Sequence, residues 1–157
     1  MEVTIRLARA DEAEVLFEIQ KAASLAGLGH IFPADRFPYP DEPVRERWLA
    51  VVAGPSHQAL VAETDGEAMG VAAIEGDWLN GFYVRPEWWG SQVAPALHDA
   101  TVDLIRTSGA ASAHLWVLEA NTRARRFYER RGWRENGTTR VVEYPPQPVD
   151  VGYSREL

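Results

Sequence analysis

The chain has 157 residues, of which 46% are apolar and 25% charged, with no cysteine and a formal net charge of −7. That length carries one substantial core without disulfides or metals, so a single domain over residues 1–157 is expected. The acidic balance speaks against nucleic acid and anionic membrane surfaces as partners. The missing cysteines exclude thiolate catalysis and suit a reducing compartment. No basic segment followed by an apolar run opens the chain, and no stretch approaches the roughly 18 apolar residues of a membrane span, so the expected location is cytoplasmic.

In "EVTIRL" the residues Val3, Ile5 and Leu7 alternate to one side, which predicts a strand. Asp11 with Glu14 three positions on resembles a capping box, and Val15, Leu16, Ile19 and Ala23 follow at helical spacing. Pro33, Pro38, Pro40 and Pro43 exclude a long helix across residues 27–43, and a short second helix is expected in "VRERWLAVVAG" before Gly54 and Pro55. Three strands then run in succession through "QALVAETDGEAMGVAAIEGDWLNGFYV". Asp65 and Gly66 predict a type I′ hairpin, Gly76 the next reversal, and Gly81 a bulge or a close backbone approach.

In "RPEWWGSQVAPAL", Pro95 is tolerable only in the first turn of a helix, which must begin near Gln92 and place Val93, Leu97, Ala100 and Leu104 on one face. "SAHLWVL" reads as a strand, "NTRARRFYERRG" as a helix, and "TTRVVEY" and "VDVGYSREL" as two last strands. The expected fold is α/β in the α+β sense, a mixed and mainly antiparallel central sheet with helices on both faces, in the order β-α-α-β-β-β-α-β-α-β-β.

Two stretches carry candidate chemistry. A loop that feeds backbone N–H groups into a helix start attracts anions, because those amides lack intrahelical partners and the helix dipole favours negative charge. "WWGSQVA" is such a loop. In "LEANTRARRFYERRGW", Asn121 stands at a helix start and Tyr128 two turns later on the same side, with Gly132 and Trp133 behind. Taken singly, Asn121 reads as an N-cap and Tyr128 as a half-buried core residue. His30, His57, His98 and His114 show no metal-ligand spacing, so no metal is expected.

Taken together and in this order, the two stretches resemble the GCN5-related N-acetyltransferase (GNAT) superfamily. The resemblance implies transfer of acetyl from acetyl-coenzyme A straight to an amine, of a small molecule or of a protein. It implies that Phe82, Tyr83 and Val84 form a strand splayed to admit pantetheine, that Trp89, Gly90, Ser91, Gln92, Val93 and Ala94 bind pyrophosphate, that Asn121 bonds the pantetheine amides, and that Tyr128 lies near the thiol. The family's loop has Arg or Gln, Gly, and Gly or Ala where this chain has Trp89, Gln92 and Ala94. Trp89 retains one indole N–H for a ligand, and Gln92 forgoes the tight approach or positive φ of a glycine, so weakened coenzyme affinity is expected.

Direct transfer needs donors for the oxygen that gains charge, expected from backbone N–H groups near Tyr83, and a donor to the departing thiolate, expected from Tyr128. An alkylamine is mostly protonated at neutral pH, so a base is required. Glu75 and Glu143 are the first candidates, with Asp77, Glu119 and His30 behind them; Glu75 ends the strand before the cofactor strand, and the choice of base stays open. The competing reading is a non-catalytic binding or regulatory module of the same fold with a degenerate coenzyme loop; a further one is use of a longer acyl-coenzyme A. Phe32, Phe37 and Tyr39 form either a lid over the acceptor or packed surface. Of Arg125, Arg126, Arg130 and Arg131, one is positioned to meet a coenzyme phosphate and the others read as a solvated face. The late strands leave room for a homodimer.

Overall fold

The computed structural model describes residues 1–157. Its elements follow the expected order. They are β1 (Thr4–Leu7), α1 (Ala13–Gly27), α2 (Asp41–Ala53), β2 (Gln58–Thr64), β3 (Glu67–Glu75), β4 (Trp78–Val84), α3 (Val93–Thr107), β5 (Ser112–Leu118), α4 (Thr122–Arg130), β6 (Arg134–Val141) and β7 (Val149–Glu156), with one 3-10 turn at Pro86–Trp88. The seven strands form one sheet in the order β1-β2-β3-β4-β5-β7-β6, and only the β4–β5 pair is parallel. No helix is long and apolar enough to cross a membrane.

Each face of the sheet buries its own core. Leu16, Phe17 and Ile19 of α1 with Val44, Trp48 and Val51 of α2 pack on Val61, Val71 and Ala73. On the other face Val93, Leu97, Val102 and Ile105 of α3 and Tyr128 and Trp133 pack on Ala62, Met69, Ala72, Leu115 and Val117. The alternation along β5 shows why a sheet can serve two layers: Ala113, Leu115 and Val117 are buried, whereas His114 and Trp116 are half-buried on the opposite side.

Turn chemistry fixes the central meander. Asp65 and Gly66 both have positive φ, +50° and +78°, as a type I′ turn demands. Gly81 stands opposite Ala73 while Leu79 stands opposite Ile74, so Asn80 is the extra residue of a bulge.

Four local expectations are corrected. Leu7 is 56% exposed, because β1 is an edge strand whose register ends there. The Asp11–Glu14 box does not form; the helix begins at Ala13, and the carboxylate of Glu12 instead accepts from the Arg9 amide at 2.6 Å and from both ends of the Arg6 guanidinium at 2.8 Å. Arg45 takes Glu14. The second helix starts at Asp41, three residues before Val44, because Pro43 sits in its first turn, where no backbone partner is lost. The buried stripe of α3 includes His98, Thr101, Val102 and Ile105, with Ala100 and Leu104 at its margin. Of the late strands, β7 is paired on both sides, and only the wholly exposed β6 offers a free edge.

Candidate functional site

The sheet opens at its one parallel pair. β4 and β5 are in register only at Trp78–His114 and Leu79–Leu115, whereas β5 and β7 pair over seven positions. Beyond Leu79 the two strands part, and the bulge at Asn80 is where they do so. A bulge bends its strand and increases local twist, which carries Gly81–Val84 away from β5 while β3 still holds their other edge. Within the segment Phe82–Val84 expected to splay, the backbone groups of Phe82 and Val84 face the opening, while those of Tyr83 turn toward β3.

Alternation sends the side chains of the opened strand to opposite faces. Phe82 meets Phe127 at 5.6 Å and Tyr128 at 6.3 Å between ring centroids, so aromatic rings of α4 close the split on one face. Tyr83 lies on the other face, edge-on to Trp48 at 6.4 Å. Tyr128 is also flanked by Phe127 and Trp133 and is 7% exposed. Burial, with Tyr83 close by as a secondary cause, pushes its phenol pKa well above the ordinary value, and its hydroxyl makes no hydrogen bond within the protein. The ring is buried but the hydroxyl is not sealed off, so its O–H can donate to water or to a ligand.

The loop at the mouth of the split is built around Gly90, whose φ is +77°. Gln92 has φ −78° and ψ −4°, ordinary helical values, so the left-handed position of this loop is Gly90 and not Gln92. A glycine at Gln92 is therefore not required by the backbone. Ser91 folds back, donating to the Trp88 carbonyl at 2.6 Å and accepting from the Val93 amide at 3.2 Å. The amides of Gly90, Gln92 and Ala94 are left without protein partners at the α3 N-terminus. Unpartnered amides at a helix start attract anions.

Trp89 departs from expectation. Its indole N–H donates to the Val84 carbonyl at 2.8 Å, so it braces the loop against the opened strand and is not free for a ligand. Its ring carries the guanidinium of Arg123, 3.7 Å from the centroid, and borders Gly27 at the end of α1. The sequence singles out Arg125, Arg126, Arg130 and Arg131, all later in the chain, and not Arg123, since nothing local joins residues 34 positions apart.

Asn121 caps α4, its side-chain oxygen accepting from the Ala124 amide at 3.3 Å, which leaves its NH₂ group free. Glu75 ends β3 opposite Trp78, beside the point where the strands part; Asn80 of the bulge reaches it at 3.4 Å and His57 at 3.3 Å. A second carboxylate, Asp150, is buried opposite Leu118 on β5 and held by Arg140 at 2.9 Å. Its only sequence signal was a polar residue in an apolar strand. Tyr39 packs edge-on to Phe17 at 6.3 Å, so this part of the Pro-rich segment is packed surface. The histidines go to separate places: His30 to the Ala120 carbonyl, His57 to Glu75, His98 into the core and His114 to Ser154. Arg125 is spent on Tyr153, the Glu119 carbonyl and Glu135, and Arg131 on Phe127.

Comparisons with known proteins address the fold and the family. Over its full length the fold matches the PaiA N-acetyltransferase of Thermoplasma acidophilum, solved in complex with coenzyme A, with a TM-score of 0.78, 17% identity and complete coverage of both chains. In sequence the chain is 34% identical over 80 residues to an uncharacterized N-acetyltransferase of Archaeoglobus fulgidus, covering 44% of this chain and 54% of that one. It is 33% identical over 97 residues to an uncharacterized N-acetyltransferase of Mycobacterium tuberculosis, covering 59% and 62% respectively. The matches thus span little more than half the length of these relatives. A model of the acetyltransferase (GNAT) family matches residues 25–133, a stretch that includes the opened strand, the Gly90 loop and the Asn121–Tyr128 helix, and the chain belongs to that family.

Proposed function

We propose that this protein is an N-acetyltransferase that uses acetyl-coenzyme A and transfers the acetyl group directly to an amine, and that residues 1–157 act as one domain. The observation that carries the reading is the β4–β5 split, with unpaired amides at its mouth and an unpartnered phenol along it. The residues fit the group. Pantetheine is a chain of amides, and the opened edge of β4 with the free NH₂ of Asn121 offers it backbone-like partners. The amides of Gly90, Gln92 and Ala94 suit pyrophosphate. The cosubstrate supplies an activated thioester; the remaining work belongs to the chain.

Backbone N–H groups near Tyr83 on the open edge donate to the carbonyl oxygen as it gains charge. Tyr128 donates a hydrogen bond to the departing sulfur. A phenol with a pKa raised above about 10 is a weaker acid than a thiol near 8.5, so Tyr128 stabilises the thiolate without surrendering its proton outright. The proton of the amine leaves toward Glu75, which sits at the apex of the split with Asn80 and His57 around it. The acidic chain, at −7, favours a cationic amine as acceptor.

Calorimetric titration with acetyl-coenzyme A, followed by acceptor-dependent release of free thiol, tests the reading. Binding with a Kd in the micromolar range, roughly −8 kcal/mol, is expected. Tyr128→Phe is expected to keep that affinity and lose roughly ten- to hundred-fold in turnover, the worth of one hydrogen bond to a charged group. Absence of binding at millimolar ligand points instead to the non-catalytic module, and full activity in Tyr128→Phe removes its role.

A further inference from the structure

We propose that Arg123, carried on the ring of Trp89, is a pyrophosphate ligand of the coenzyme and supplies from α4 the positive charge that the loop's own side chains lack. The inference rests on the coenzyme reading above and explains how a loop without a basic or amide side chain at position 89 can still hold a diphosphate.

Three observations support it. The Arg123 guanidinium lies 3.7 Å from the centroid of the Trp89 ring, and Trp89 is the residue before Gly90, whose amide has no protein partner. Stacking fixes the plane of the guanidinium while leaving its five N–H donors on the rim free, and a fixed fork is what binds phosphate oxygens in pairs. Second, Arg123 has no counter-ion. Burial lowers its pKa from the ordinary value with no opposing contribution from a carboxylate, and the only arginine of α4 in an ion pair is Arg125. The guanidinium is exposed and free of carboxylates, so an incoming anion meets it without displacing an ion pair.

Third, the surroundings are cationic in an otherwise acidic protein. Arg123, Arg126 and Arg130 recur at helical spacing and, with His30 and Asn121, line a depression of about 440 Å³ that contains no carboxylate. Gly27 belongs both to this depression and to the Trp89 contact, so the stacked pair forms its border with the loop. The tryptophan that appeared to forfeit a ligand is thus the platform for its replacement. The indole bond to Val84 keeps that platform in place.

The test is calorimetric titration of wild type, Arg123→Gln and Arg126→Gln with coenzyme A, dephospho-coenzyme A and pantetheine. Arg123 is exposed in the first turn of α4, so its replacement leaves the fold intact, and thermal melts check this. Arg123→Gln is expected to weaken coenzyme A and dephospho-coenzyme A by the same factor, roughly ten- to hundred-fold, and to leave pantetheine unchanged. Trp89→Leu, which removes the platform but keeps Arg123, is expected to reproduce part of that loss. A loss confined to coenzyme A places Arg123 on the 3′-phosphate and overturns the proposal, as does an unchanged affinity for both phosphorylated ligands. If wild type binds none of the three, the coenzyme reading itself has failed.

Discussion

Gly90→Ala measures how much of the loop depends on a single backbone conformation. Gly90 holds φ +77°, and a Cβ built there meets no atom within 4 Å, so the substitution introduces no clash. Its whole cost is the left-handed backbone, roughly 1–2 kcal/mol for a residue with a side chain. That strain has two outlets. If the loop keeps its shape, the strain appears as stability, and a chain of this size should melt lower by about 2–4 °C per kcal/mol, while coenzyme affinity holds. If the loop relaxes in the free protein, stability holds and binding must restore the strained shape, weakening affinity by roughly 5- to 30-fold. The two losses therefore sum to about 1–2 kcal/mol however they divide. Scanning calorimetry and ligand titration on the same preparation give both. Gly90→Asn, which tolerates the left-handed region, should show a smaller sum. Gln92→Gly is the control: Gln92 is already at φ −78°, so affinity should be unchanged or slightly lower. Wild-type stability together with wild-type affinity in Gly90→Ala would refute the assignment of the loop's geometry to that glycine.

Two further predictions concern the frame of the site. Glu12 is held down to a pKa of about 2, first by the Arg6 guanidinium and then by the Arg9 amide. A depressed carboxylate stabilises the fold above its unfolded value near 4.5 and loses that contribution as pH falls toward 2. Glu12→Gln should cost about 2 kcal/mol in urea unfolding at pH 7 and much less at pH 3, with Arg6 retaining Glu63. His98 accepts the Trp133 indole N–H on Nε2 at 3.0 Å, and burial lowers its pKa. The neutral ring thus stabilises the fold above its unfolded value of 6.5, and stability declines as pH falls below it. NMR titration should show Nε2 unprotonated at pH 6, and Trp133→Phe should destabilise by about 1–3 kcal/mol while raising that pKa.

What the sequence disclosed was whatever is enforced within a few residues. Pro95 dated the start of α3, the Asp65-Gly66 pair set a turn, and Gly81 marked the bulge that starts the split. What it hid was competition between partners far apart. The Asp11–Glu14 box was a plausible local cap, but Glu12 found two arginine side chains and an amide in a better geometry. The spare indole N–H of Trp89 was a fair inference from composition, yet a carbonyl five residues back had already claimed it. Arg123 was indistinguishable from its neighbours until the fold laid one of four α4 arginines on a tryptophan. Glycine at Gln92 was expected from the loop's pattern, while the backbone requirement had settled two positions earlier.

The same competition supports the proposal that the split is a site. Where two strands part, backbone donors and acceptors that a sheet would have paired face each other across a gap, and leaving such groups dry is costly. The chain does not close the gap with its own groups. Phe82, Phe127 and Tyr128 wall it on one face with rings, and Trp89 caps only the Val84 carbonyl at the mouth. Backbone groups open to solvent bond water, so whatever enters must replace those bonds to bind well. A ligand made only of hydrocarbon fails that condition. One with amides spaced along an extended arm, ending in a diphosphate at the Gly90 loop, meets it over the whole length of the opening, and this is the physical content of assigning the split to coenzyme A.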